Sequence, residues 1–181
     1  MGSWSRIARR IRVPLGFAFA VVYLWRARPD WQSLVEGSVL IVLGLTLRGV
    51  ASGHLRKNKE VTTTGPYAYV RNPLYLGSLI VAAGFAVAAR DLWLAAGMLV
   101  FFLAVYLPVI LSEETWLRAN FPEFEDYARR VPRLWPLLFF RPPVPPGRFS
   151  WELYLRHREY NAVAGAVAML AALLVKLLRF S

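Results

Sequence analysis

Apolar runs separated by short charged turns dominate what this chain can fold into. Residues 13–25, 34–47, 74–89, 92–111 and 162–178 are five such runs. In a bilayer the backbone polar groups must be satisfied within the segment, so runs of this kind are expected to be helical. The first is short for a full crossing and needs its flanking arginines to snorkel. Glu36 alone interrupts the second. Arg90-Asp91 is a tight polar turn, so the third and fourth runs are predicted to form an antiparallel helical hairpin. Pro108 is predicted to kink the fourth near its end. The chain is 57% hydrophobic, with a mean hydropathy of +0.41, which is more apolar than most soluble domains. The expected fold class is therefore all-α: a polytopic membrane protein with about five transmembrane helices and cytoplasmic interfacial helices. Its length fits one domain, 1–181.

The net charge is +11. On a soluble protein that would raise nucleic acid as a partner, but no groove-reading motif is present, and none is expected to bind. The basic residues gather between apolar runs, as topology signals and lipid-phosphate contacts do. If the N-terminus is cytoplasmic and all five runs cross, 17 Lys and Arg residues lie on the cytoplasmic side and five on the other. That asymmetry supports an N-terminus in the cytoplasm of a multi-pass protein, in a bacterial inner membrane or an ER-like one. It also puts the 48–72 loop and the 113–160 region on one face.

There is no cysteine, which excludes disulfides, thiolate catalysis and prenylation of the chain itself. No small-residue cleavage site follows the first apolar run, so it reads as retained rather than as a signal peptide. His54 and His157 have no second ligand at metal spacing, and no metal is expected. No G-x-G-x-x-G follows a predicted strand, so a soluble dinucleotide-binding domain is not expected.

Residues 113–130 have an amphipathic, interfacial pattern, with Trp116, Leu117, Phe121, Phe124 and Tyr127 spaced mostly three or four apart. Pro122 should break or restart that helix. Pro132, Pro136, Pro142, Pro143, Pro145 and Pro146 make the next stretch irregular. A second interfacial helix is expected at 151–160.

Two polar elements flank the helical hairpin. Polar groups packed against membrane helices are costly, which makes them functional candidates. The first element is Thr64-Gly65-Pro66-Tyr67, a turn, followed by Arg71-Asn72-Pro73, a helix start with Asn72 as N-cap. A well-capped helix explains Asn72 and Pro73. It does not explain Tyr67, Tyr69, Tyr75 and an arginine on one short stretch, for which an interfacial aromatic belt accounts only in part. The second element is Glu113-Glu114. At the end of a membrane helix two adjacent carboxylates oppose the helix dipole, whereas at the start of an amphipathic helix they are favoured. The functional alternative is a site for an amine or for ribose hydroxyls.

Thr64-Gly65-Pro66-Tyr67, Val70-Arg71-Asn72-Pro73, Tyr75, Gly77, Glu113-Glu114, Leu117, Phe121, Tyr127 and Val131-Pro132-Arg133 together resemble the isoprenylcysteine carboxyl methyltransferase and phospholipid methyltransferase-like superfamily of integral membrane enzymes. That family's pattern is G-P-Y-x-x-x-R-H-P-x-Y-x-G, an E-E pair and a Y-x-x-x-V-P-type ending. The likeness covers residues 44–136, and 137–181 look like an added interfacial helix and apolar helix.

The resemblance implies an S-adenosylmethionine-dependent methyltransferase with its cofactor pocket among membrane helices. It implies cofactor contacts at Gly65, Pro66, Tyr67, Val70, Arg71, Asn72, Tyr75, Glu113 and Glu114. Arg71, Asn72 and Glu114 are the expected catalytic residues. Tyr127 and Arg133, the C-terminal cover, are expected on the substrate side. Arg48, at the cytoplasmic end of the second run, joins them as a residue that could meet an anionic head group, or simply snorkel.

Two departures stand out. Asn72 replaces the family's usual histidine, keeping hydrogen bonding without titration near neutrality. Leu107-Pro108-Val109 stands where prenylcysteine enzymes tend to carry a basic residue. The expected acceptor is a lipidic, prenylated or small amphiphilic molecule, in an isoprenylcysteine O-methyltransferase-like reaction. The alternatives are a phospholipid amine N-methyltransferase and an NADPH-dependent sterol-type reductase with a related membrane core.

Overall fold

The computed structural model describes residues 3–57, 59–135 and 147–180, with side chains from Pro14. Pro136, Pro142, Pro143, Pro145 and Pro146 lie outside the described residues. The described chain is helical and contains no strand. Helix α1 is Ser3–Arg26 and α2 is Trp31–His54. A 3₁₀ turn, Gly65–Ala68, leads to α3, Pro73–Ala89. Helix α4, Leu92–Phe101, runs through a π segment, Phe102–Tyr106, into α5, Leu107–Asn120. Short α6, Phe124–Arg130, and α7, Trp151–Arg156, precede the long α8, Tyr160–Phe180.

Among the described residues three helices are long and apolar enough to cross a membrane: Trp31–His54, Leu92–Asn120 and Tyr160–Arg179. Within the described residues the apolar segments Pro14–Arg26 and Pro73–Ala89 are shorter, so three of the five expected crossings have helices of crossing length among the described residues. Their outward faces carry large apolar side chains, among them Phe17, Val35, Val42, Trp93, Val100 and Val167. Water would not tolerate such a surface on a monomer, whereas lipid would.

Helix α2 packs most extensively against α3, and the reason is four glycines. Gly37 faces Gly84 and Gly44 faces Gly77, so the antiparallel backbones touch. A Cβ added at Gly44 would lie 2.7 Å from the Gly77 carbonyl oxygen, and one at Gly37 would lie 2.5 Å from that of Gly84. Small residues permit this approach where membrane helices must be held by packing rather than by the hydrophobic effect.

The predicted hairpin turn is present. Arg90 adopts a left-handed conformation (φ 49°) and Asp91 caps α4 by accepting from the Leu94 N–H. Asp30 and Ser33 form a reciprocal capping box at the start of α2. This end of the bundle is closed by a core of Tyr23, Leu34, Ala88, Leu94 and Leu173. Lys176 ties α8 to α1 there, donating to the Leu24 and Trp25 carbonyls at 2.7 and 2.8 Å.

Pro108 does not end the fourth helix. It lacks an N–H for the carbonyl four residues back, and the turn before it widens to a π segment in which Leu107 N–H reaches the Phe102 carbonyl. The helix then continues to Asn120. Glu113 and Glu114 consequently lie inside α5 rather than at the start of a separate amphipathic helix. The break expected at Pro122 falls between α5 and α6. The second interfacial helix is shorter than expected, six residues at Trp151–Arg156.

Candidate functional site

The end of α2, the 3₁₀ turn, the start of α3, the second half of α5, α6 and the start of α8 converge at the other end of the bundle. Gly65 has φ 58°, a conformation other residues disfavour, and a Cβ there would lie 2.7 Å from the His54 ring. The turn it permits aims Tyr67 inward and delivers the chain to Arg71. The Arg71 N–H donates to the Pro132 carbonyl at 2.8 Å, joining the two polar elements through the backbone.

Glu114 is the hub. Its side chain is only 2% exposed, and it accepts from three donors. Asn72 Nδ2 lies 3.0 Å from Oε1. Arg71 Nη1 lies 3.3 Å from Oε2, and Arg133 Nη2 lies 2.9 Å from the same oxygen. Arg133 also donates from Nε to both oxygens at 3.1 Å. A buried carboxylate is tolerated when paired and hydrogen-bonded in this way. Asn72 occupies the N-cap position of α3 but makes no side-chain capping bond. Its amide is instead turned to Glu114 and to the Arg133 carbonyl, at 3.2 Å, which corrects the capping expectation.

Burial pulls the Arg71 pKa below the usual guanidinium range, against the opposing effect of Glu114. Hydrogen bonding to Glu114 raises that of Arg133. The two directions differ because Arg71 is the more deeply placed, 10% exposed against 37%. Both stay charged at any ordinary pH. Among the described residues Arg71 Nε is the one buried side-chain polar atom without a hydrogen-bond partner.

Beside this hub lies a cavity of about 850 Å³. Tyr67, Arg71, Asn72, Tyr75, Glu113, Tyr127 and Arg48 line it, as expected site residues. Gly65, Pro66, Val70, Glu114 and Arg133 are not on its wall. They shape the turn or hold the residues that are. Tyr75 OH donates to Glu113 Oε2 at 3.0 Å, which fixes that carboxylate at the wall. Tyr127 OH donates to the Tyr67 carbonyl at 2.7 Å, clamping α6 onto the 3₁₀ turn. Burial raises the pKa of both phenols above the usual tyrosine range.

Arg48 is not free for a head group. Glu159 holds it in a two-pronged ion pair. Sequence reasoning missed Glu159, along with Trp116, Tyr106 and Arg158 on the cavity wall. Glu159 stands just before one apolar run and Arg48 just after another, which marks each as a candidate without pairing them. His54 is buried against Thr64, with Nδ1 3.3 Å from the hydroxyl, and does not line the cavity.

Helices of membrane-crossing length that end around a polar, aromatic-walled cavity define the class: an all-α membrane protein with a ligand-sized site at one end of its bundle. The sequence comparisons give the family within that class. The phospholipid methyltransferase family matches residues 32–123, and the chain belongs to that family. The match runs from α2 to Glu123 and so contains Arg48, the 65–77 motif and Glu113-Glu114, but not Tyr127, Arg133 or Glu159.

Two bacterial relatives are similar. The cobalt-zinc-cadmium resistance protein CzcN of Cupriavidus metallidurans is 30% identical over 159 residues, which is 83% of this chain and 71% of that protein. The nickel-cobalt-cadmium resistance protein NccN of Alcaligenes xylosoxydans xylosoxydans is 43% identical over 83 residues, 46% of this chain. That second match spans only 39% of the relative's length. No solved structure gives a significant match.

Proposed function

We propose that the chain transfers a methyl group from S-adenosylmethionine to a lipidic or small amphiphilic acceptor at the cytoplasmic face of a bacterial inner membrane. The observation that carries this reading is the convergence of Tyr67, Arg71, Asn72 and Tyr75 with Glu113 on one cavity, with Glu114 holding Arg71 and Asn72 from behind. The residues present fit the cofactor. An orphaned Arg71 Nε at a buried position beside the cavity offers a donor for a carboxylate. Glu113, held by Tyr75, offers acceptors for an ammonium or ribose hydroxyls. Tyr67, Trp116, Phe124 and Tyr127 supply aromatic walls, and the volume lies in the range of small-molecule sites.

When bound, S-adenosylmethionine supplies an electrophilic methyl on a sulfonium. In-line methyl transfer depends on positioning and on a site shielded from water more than on a protein nucleophile. Glu114 is then a positioning residue. Its oxygens are occupied by Arg71, Asn72 and Arg133, so it sets the direction of the two that face the cavity. Arg71 and Asn72 are the groups that touch ligand.

The family match also favours an amine acceptor in the manner of phospholipid N-methylation, beside the O-methyl transfer suggested by the motif pattern. The relatives are named for resistance to cadmium, cobalt, nickel and zinc, and we take the activity to serve such resistance. On this reading the contribution is a methylated membrane component rather than carriage of the ion.

Calorimetry on detergent-purified protein tests the proposal. S-adenosylmethionine or its demethylated product should bind with Kd near or below about 1 μM, about 8 kcal/mol. Glu113→Ala should weaken binding about tenfold or more, the worth of a charge-assisted hydrogen bond. Glu125→Ala, on the exposed surface beside Arg118, should leave it unchanged. Binding of NADPH with no binding of either nucleoside would overturn the methyltransferase reading in favour of a reductase.

A further inference from the structure

Two cavities share Arg48 in their walls. Besides the polar cavity, a second of about 410 Å³ lies among α1, α2, α3 and α4, walled by Phe19, Val81, Phe85, Met98 and Phe101. The two share Arg48, Tyr106 and Ala162. Among the described residues Arg48 is the one charged residue on the apolar wall. Gly77 leaves space for its stem, since a Cβ there would fall 2.6 Å from Arg48 Cγ.

In this shared wall the guanidinium is held on several sides. Nε and Nη2 donate to Glu159 Oε2 and Oε1 at 3.0 and 2.9 Å. Nη1 donates to the Leu74 carbonyl at 3.2 Å and to the Ser78 hydroxyl. Glu159 comes from the turn between α7 and α8, 111 residues away in sequence. Its neighbour Arg158 takes a left-handed conformation, φ 55°, a constraint that residues of this type accept when surrounding structure imposes it. The pair is poorly exposed, 21% and 11% at the side chains.

We propose that the Arg48–Glu159 pair determines which acceptors pass from the apolar cavity to the cofactor cavity: it admits amphiphiles whose head donates hydrogen bonds, neutral or cationic, and turns away anionic heads. Four of the guanidinium's five N–H groups are already taken, so an anion gripping it with two bonds must displace a present partner, and it then lies beside the Glu159 carboxylate, a like charge. A donating head meets no such conflict. A carboxylate has about four acceptor sites, and Arg48 takes only two. The apolar cavity holds the tail. The idea rests on the methyl-transfer reading only in calling the polar cavity the cofactor cavity and the head group the acceptor.

The test uses the full chain in detergent micelles and two diazirine-tailed probes, a dodecylamine and a dodecanoic acid with the same tail. After photolysis, peptides containing Phe19 or Met98 are quantified by mass spectrometry. In the unaltered protein the amine should label these peptides at least about tenfold more than the acid, as one buried like-charge contact requires. That preference would run against the chain's net charge of +11, so surface attraction cannot produce it. Glu159→Gln is nearly isosteric and leaves Arg48 uncompensated; it should lower or invert the ratio. The double variant Arg48→Gln with Glu159→Gln should bring the ratio near one. Equal labelling by both probes in the unaltered protein overturns the proposal, as does a Glu159→Gln ratio identical to that of the unaltered protein. Titration with S-adenosylhomocysteine in parallel separates the two ideas. Discrimination between probes without nucleoside binding would sink the methyl-transfer reading and keep the filter, and the reverse would sink the filter alone.

Discussion

Asn72 and Glu114 stand 42 residues apart in sequence and 3.0 Å apart in space, the amide of one donating to the buried carboxylate of the other. That contact joins the start of α3 to the middle of α5. It converts a residue that looks like a helix cap into the bridge between the two polar elements of the chain. It also accounts for an asparagine where the resembled motif pattern has histidine: the position asks for a donor aimed at a carboxylate, which needs no titration.

Asn72→His should therefore keep the fold and much of the nucleoside affinity, because imidazole can also donate to Glu114. Asn72→Leu should lose about 1–3 kcal/mol of stability by leaving acceptors at Glu114 and the Arg133 carbonyl short of a partner. Thermal unfolding in detergent, with nucleoside titration of the same samples, checks both. If Leu and His behave alike, the bridge carries no weight.

The glycine contacts make a sharper prediction about packing. Gly44→Ala would push a methyl against the Gly77 backbone, and Gly84→Ala would set one 2.6 Å from the Gly37 carbonyl oxygen. Each should destabilise by about 1–3 kcal/mol through overpacking. Gly16→Ala, with nothing within 4 Å of the added carbon, should not. Since α2 carries Arg48 and α3 carries Tyr75, the first two substitutions should also weaken ligand binding at a distance.

Tyr127 gives a prediction in pH. Burial raises its pKa in the folded state, so its contribution is fully present below the unfolded value of about 10. That contribution is lost as pH rises from there towards the folded value, because unfolding then releases a proton. Tyr127→Phe should be less stable by about 1 kcal/mol near neutrality, for the missing bond to the Tyr67 carbonyl. Its stability should fall less steeply than the unaltered protein's above pH 10. Parallel slopes across that range would show that the phenol is not buried as described.

Much was legible in the sequence because it depends on local chemistry. Apolar runs near bilayer length dictate helices, since lipid offers the backbone no other partner. Arg90-Asp91 fixes the hairpin, and Gly65-Pro66 fixes the turn. The motif residues alone were enough to point to the methyltransferase superfamily.

Tertiary structure decided everything that depends on which surfaces meet. It carried α5 past Pro108 through a π segment, so that Glu113 and Glu114 sit inside a helix and face different partners. It turned Asn72 away from its cap. It separated the residues on the cavity wall from those, such as Glu114 and Arg133, that only hold them in place. It also brought Glu159 to Arg48, a pairing no local pattern encodes. The physical reason is the same throughout: a buried charge must find its counter-charge wherever the chain can supply one, and sequence distance does not enter that requirement.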